Sequence, residues 1–157
     1  MKKLLCAVLA MMLVEEGRLE LTSPVAAYLP EFKDMKVLTE AGEEPVKAPM
    51  TVHDLILHTS GLTYGFFGEG PARQALNEAG VGQYDLTNRE LATKLAGLPL
   101  EHQPGSTWEY SYSTDVLGAV IEVVEGKPLG EAMKARIFDP LGMEDTSFHV
   151  GDPEDQK

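Results

Sequence analysis

At 157 residues, 43% of them apolar and 24% charged, the chain has the length and apolar content of one globular domain with its own core. Its net charge of −12 excludes the basic patches that nucleic acid and anionic membranes select, so neither is expected as a partner. The lone Cys6 excludes an intramolecular disulfide, and His53, His58, His102 and His149 stand at no metal-ligand spacing, so no metal or other cofactor is expected.

Leu4 to Glu16 is apolar on nearly every side, which predicts a helix enclosed by other elements, with Cys6 buried and Gly17 as its stop. Thr22 or Ser23 ahead of Pro24 opens a short helix that Pro30 ends. Val37-Leu38 and Val46-Lys47-Ala48 flank an acidic turn containing Gly42 and predict a small hairpin. Thr51 caps a helix through Leu57 that buries Val52, Leu55 and Ile56. Tyr64 to Gly82, rich in glycine and aromatic residues, predicts a mobile loop. Thr87, with Glu90 three residues on, forms a capping box for a helix reaching Ala96; Gly97 to Gly105 connects.

The strongest helix runs from Thr114 to Glu125, where Val116, Val120 and Val124 share one face and Leu117 and Ile121 an adjoining one. Gly118 and Ala119 admit a close neighbour there, and Gly126 stops the helix. Leu129, Met133 and Ile137 recur at four-residue spacing on a last helix ending near Asp139-Pro140, and the polar stretch 151–157 predicts a frayed tail. The chain so read is mainly α, one unit over 1–157 with one small hairpin.

The N-terminus admits two readings. Met1-Lys2-Lys3 before the apolar run Leu4 to Val14 has the profile of a secretory leader, which would make the chain a secreted small binding protein, sent to the periplasm or outside. The run, however, passes into Glu15-Glu16-Gly17 without a convincing small-residue cleavage site, which favours a folded helix and a cytoplasmic location. Its length is too short to span a bilayer.

The densest chemistry lies in Pro104 to Gly118 (PGSTWEYSYSTDVLG), which sets Tyr110, Ser111 and Tyr112 at the mouth of the strongest helix. Four further segments accompany it in order: Met11 to Gly17, Pro24 to Phe32 (PVAAYLPEF), Leu55 to Leu62 (LILHTSGL) and Leu141 to Thr146 (LGMEDT). Together they resemble the serine β-lactamase-like superfamily of class C β-lactamases and penicillin-binding-protein-like peptidases, most nearly its family VIII esterases. In that superfamily a Ser-x-x-K nucleophile stands beside the motif tyrosine. Counting back about fourteen residues from Gly17, the family's helical register, reaches Lys3. Residues three apart share a helix face, so the serine would fall one position before Met1.

The resemblance implies Lys3 and Tyr110 as catalytic residues with a shared proton-transfer role, Ser111 and Tyr112 as motif neighbours, and no nucleophile within the chain. Class C β-lactamases carry an asparagine where Tyr112 stands, which favours an esterase. No Lys-Thr-Gly or Gly-Gly segment follows Tyr110 to complete an oxyanion hole, a loss of about 2.7–4 kcal/mol. The expectation is a truncated acyl hydrolase, inactive as an isolated chain, whose full-length parent takes a small ester or amide. Its fold would be the helical region of the β-lactamase/transpeptidase-like fold, with most of the β-sheet missing. Uncovered apolar faces would then promote self-association, or binding of a complementary hydrolase fragment.

Plainer roles compete. Ser60 has no G-x-S-x-G elbow, and it and His58 read as structural. Tyr110 could fill space beside Trp108 with its hydroxyl on backbone, and Lys3 could be an ordinary N-terminal lysine.

Overall fold

The computed structural model describes residues 2–82 and 86–148. Helix α1 (Lys2–Glu15) is stopped by Gly17, whose φ of 68° is the left-handed conformation a helix end favours. Two 3₁₀ turns follow, Val25–Ala27 and Pro30–Phe32. Pro30 therefore begins the second turn, where its fixed φ suits a first helical position, and does not end a helix spanning both.

Strands β1 (Lys36–Thr39) and β2 (Gly42–Pro45) pair antiparallel in the register Lys36↔Pro45 to Thr39↔Gly42. The second strand comes earlier than Val46 to Ala48 because the turn is tight: Thr39 Oγ1 accepts from the Ala41 amide at 3.2 Å, and Gly42 takes φ 118°. The hairpin is tied to the following chain where the Leu38 amide donates to the Leu100 carbonyl at 2.9 Å and the Leu100 amide to Lys36 at 2.8 Å.

Helices α2 (Val52–Leu57) and α4 (Asn88–Ala96) each open on a complete capping box, Thr51 with Asp54 and Thr87 with Glu90. Between them lies an unexpected helix, α3 (Pro71–Glu78), within the stretch read as a mobile loop. Gly70, at φ 151°, and Pro71 at the first position start it, and it turns Ala72 and Leu76 inward. Helix α5 (Ser113–Glu125) ends at Gly126, φ 71°; α6 (Leu129–Met133) passes directly into a π-helical turn, Lys134–Phe138.

The core is organised by α5, which packs against α1, α2, α4 and α6. Val116, Leu117, Ala119, Val120 and Ile121 are all buried, and each large apolar side chain removed from water contributes about 1.5–3 kcal/mol. Gly118 permits the closest approach: a Cβ there would lie 3.0 Å from Leu129 Cδ2 and 3.4 Å from Asn88 Nδ2. Leu129, Met133 and Ile137 are buried as their spacing predicts, and Cys6 is buried with its thiol pushed up to about 11 by desolvation.

Helix α1 is not enclosed by the described residues. Cys6, Leu9, Ala10 and Leu13 face the core, whereas Leu4 is 68% exposed and Val8 and Met11 are each 41% exposed. The predicted tail 151–157 lies outside the described residues. Among those described, no helix is long and apolar enough to cross a membrane, and no cluster of His, Cys, Asp or Glu could hold a metal ion.

Candidate active site

Helix α1 delivers Lys3 in its first turn, and the loop before α5 delivers Tyr110. Lys3 Nζ donates to Tyr64 Oη at 3.0 Å and to the Ser111 carbonyl at 3.2 Å. It also lies over the Tyr110 ring, 4.2 Å from the centroid, a cation–π geometry. The fold thus brings Lys3 and Tyr110 together through the face of the ring and not through its hydroxyl.

Tyr64 is the site residue that sequence reasoning missed. The sequence sets it among the aromatic residues of a loop, yet it is buried and packs edge-on to Tyr112 with centroids 4.4 Å apart. Its only signal was position, two residues beyond the His58 to Leu62 run. Burial, and then the charge of Asp115, push its phenol well above the ordinary value, so it stays protonated and accepts from Lys3.

His58 holds the Tyr110 segment in place. It caps α2 in the left-handed conformation, φ 57°, and stacks on Tyr110 with centroids 5.2 Å apart. Its Nδ1 accepts from the Ser111 amide at 3.3 Å, and its backbone carbonyl accepts from the Glu109 amide at 2.8 Å. Desolvation, reinforced by the Lys3 charge, lowers its pKa from 6.5, so the ring is neutral at neutral pH. A structural role for His58 matches these contacts.

Ser60, Ser113 and Ser111 form a buried chain of hydroxyls, Oγ to Oγ 2.7 Å at each step. Ser60 is fully buried and also accepts from the Leu62 amide, an environment that withholds it from substrate. Ser111 contributes its carbonyl to Lys3 and turns its hydroxyl inward. Tyr112 is buried, and its ring joins the wall of a cavity.

That cavity, about 460 Å³, opens beside Tyr110 and is lined by Tyr64, Phe66, Phe67, Tyr112 and Asp115, mostly with apolar surface. A larger hollow of about 880 Å³ lies between α4, α6 and Phe148 and lacks Tyr110, whereas the smaller one is lined by both Tyr110 and Tyr64, the two rings on which Lys3 is seated, so the smaller one is the candidate substrate site. Asp115, three residues into α5, bonds Lys2 Nζ at 2.9 Å.

Below Tyr110, Glu109 gathers an ionic cluster. It takes the Arg73 guanidinium at 2.6 Å, His102 Nε2 at 2.7 Å and the Thr63 hydroxyl. Burial would raise its carboxyl, but the hydrogen bonds from Thr63, His102 and Arg73 outweigh it and hold the group below its ordinary value. An amine seated between a phenol hydroxyl and an aromatic face, on two residues that line an apolar cavity, can exchange a proton through them with a reacting hydroxyl or leaving group placed there. Among the described residues, no serine hydroxyl bonds Lys3.

The Beta-lactamase family model matches residues 1–157, the whole chain. Esterase EstB of Burkholderia gladioli is 40% identical over 154 residues, covering 97% of this chain and 38% of that protein. Protein Rv1367c of Mycobacterium tuberculosis is 40% identical over 147 residues, covering 90% of this chain and 36% of that one. Among solved structures, EstCE1, described as a hydrolase with promiscuous acyltransferase activity, superimposes with a TM-score of 0.83 at 31% identity, covering 98% of this chain and 39% of its own. The chain therefore spans well under half the length of these relatives, and its helices with one two-stranded hairpin form the helical part of their fold. With every residue inside the family match and relatives this similar, the chain belongs to the β-lactamase family of serine hydrolases.

Proposed function

We propose that this chain supplies the lysine–tyrosine half of an esterase site that works through an acyl-enzyme. The carrying observation is the seating of Lys3 Nζ on Tyr64 Oη and on the Tyr110 ring. The similarity to EstB, named an esterase, and to EstCE1, described as a hydrolase, supports that reaction class. The reaction needs a serine within a helical turn of Lys3, since residues three apart share a helix face.

In the proposed reaction the serine hydroxyl passes its proton to the Lys3/Tyr110 pair as its oxygen bonds the ester carbonyl carbon. The pair returns that proton to the departing alkoxide, releasing alcohol and leaving an acyl-serine. Water repeats the exchange and frees the acid. The 157-residue chain by itself is silent in this reaction, since no serine among the described residues reaches Lys3.

The test is hydrolysis of p-nitrophenyl butyrate by the chain and by the full-length gene product, each with Tyr110→Phe and Lys3→Ala. Loss of proton transfer should lower kcat of the full-length enzyme by about 10²–10⁴-fold. Unchanged kcat in Tyr110→Phe would remove Tyr110 from the mechanism. Saturable hydrolysis by the 157-residue chain, abolished by Tyr110→Phe, would overturn its silence and leave the esterase reading standing.

A second reading rests on the exposed stripe Leu4, Val8 and Met11. An acidic helical module with such a face would bind a second copy of itself or a complementary apolar surface. Sedimentation across a hundredfold concentration range separates it from a non-associating monomer.

A further inference from the structure

The segment most at odds with its sequence is Tyr64 to Gly70. Rich in glycine and aromatic residues, it nevertheless carries a tight set of rings: Tyr64 to Phe66 centroids are 4.9 Å apart and Phe66 to Phe67 4.6 Å. Phe66 is 67% and Phe67 54% exposed, so burial does not hold them. Helix α3 does. Arg73, with a side chain only 13% exposed, donates to the carbonyls of Tyr64 (3.5 Å) and Phe67. Asn77 Nδ2 donates to the Gly65 carbonyl at 2.8 Å, and a Cβ on Gly65 would lie 2.9 Å from Asn77 Cγ. The opposite edge of the same guanidinium reaches Glu109 at 2.6 Å and Glu101 at 3.4 Å.

Arg73 therefore ties two walls of one cavity: the aromatic turn on one side and, through Glu109, the backbone leading into Tyr110 on the other. A guanidinium suits this because its planar fork can serve carbonyls and carboxylates together, which a lysine cannot. Two solvent-facing rings fixed this firmly against Tyr64, the partner of Lys3, form a preorganised apolar surface, and such a surface lowers the entropic cost of binding.

Resting on the esterase reading, we infer that Arg73 is a positioning residue that sets specificity: it holds Tyr64, Phe66 and Phe67 as the wall of a pocket for the uncharged apolar group of the ester. The chemistry selected is a hydrocarbon chain or ring that packs on aromatic faces.

The chain contains five phenylalanines, and Phe32 and Phe138 lie in the core, so 4-fluorophenylalanine labelling reports on wall and core at once. Methyl ketones of rising length serve as probes that cannot be hydrolysed. 2-Octanone should shift the ¹⁹F lines of Phe66 and Phe67 and leave those of Phe32 and Phe138 in place. It should bind about 10- to 15-fold more tightly than 2-hexanone, as two further buried methylenes require. Octanoate should bind more weakly than 2-octanone. Arg73→Gln should move the Phe66 and Phe67 lines only and weaken 2-octanone at least fivefold, and Arg73→Lys should not restore it.

Phe66 and Phe67 lines that ignore the ketones, affinity independent of chain length, or undiminished affinity in Arg73→Gln would overturn the inference. Should Arg73→Gln collapse the core lines, Asn77→Ala, which releases only the Gly65 carbonyl, is read by the same criteria. Because the readout is binding, the two readings fail separately. Ketone binding with no Tyr110-dependent hydrolysis by the full-length gene product removes the esterase reading, and Tyr110-dependent hydrolysis by that product with silent Phe66 and Phe67 lines removes this one.

Discussion

Helices α1 and α5 pack against each other and are both written in apolar residues, yet they sit in different surroundings. From Ser113 to Ile121, α5 is buried except for Asp115, its faces taken by α1, α2, α4 and α6. Helix α1 buries Cys6, Leu9, Ala10 and Leu13 but leaves Leu4, Val8 and Met11 facing outward. An apolar pattern makes a helix and gives it something to bury; it does not say that every face finds a partner within the same chain. The largest effect expected from that contrast is at Leu117, where truncation to alanine leaves a cavity that four neighbouring helices cannot easily close. Leu117→Ala should cost about 2–5 kcal/mol in urea denaturation, and Leu13→Ala on the inner face of α1 the same order. A Leu117→Ala cost below about 1 kcal/mol would mean that α5 is less enclosed than its burial indicates.

The next effects are local. Thr51 Oγ1 accepts from the Asp54 amide at 3.2 Å, and the Asp54 carboxylate accepts from the Thr51 amide at 2.9 Å. Thr51→Ala should therefore cost about 1 kcal/mol, read as a shift in the urea midpoint with an unchanged slope. A smaller, pH-dependent effect belongs to Glu109. Its carboxyl is held below the ordinary 4.5 by Thr63, His102 and Arg73 against the opposing pull of burial. The stability it contributes is present above its unfolded value and is lost as pH falls through its lower folded value. Below about pH 4.5, Glu109→Gln should flatten the acid loss of stability; an acid limb identical to that of the unsubstituted protein would assign the loss to other carboxylates.

The elements that could be read from sequence are those whose cause is local. Thr51-x-x-Asp54 and Thr87-x-x-Glu90 announce their helices within four residues, and Gly17 and Gly126 mark ends by the conformation they must adopt. Helix α3 was hidden because only Ala72 and Leu76 turn inward and its hold on the chain runs through Arg73 and Asn77 to distant carbonyls. At the site, motif order and register brought out Lys3 and Tyr110, and the fold does place them together. Their contact through the ring face was not legible, since Tyr110 is turned by stacking on His58, a left-handed helix cap fifty-two positions away. Tyr64 escaped for the same reason: what distinguishes it from Phe66 is a bond to a lysine at the other end of the sequence.

The smallest stability effect should come from the outer face of α1, and it discriminates most sharply. Met11 is 41% exposed and stands opposite the buried pair Leu9 and Leu13, so Met11→Lys replaces one solvent-facing side chain by another on a helix where lysine propensity is good. Taken as a monomer, the protein should change by no more than about 0.5 kcal/mol. If the stripe instead packs on a second copy, the same substitution buries a charge. It would then cost as much as Leu13→Ala, and the urea midpoint of the unsubstituted protein would rise with concentration. Denaturation at two concentrations a hundredfold apart, with and without Met11→Lys, thus decides whether α1 differs from α5 in solution as it does in the single chain.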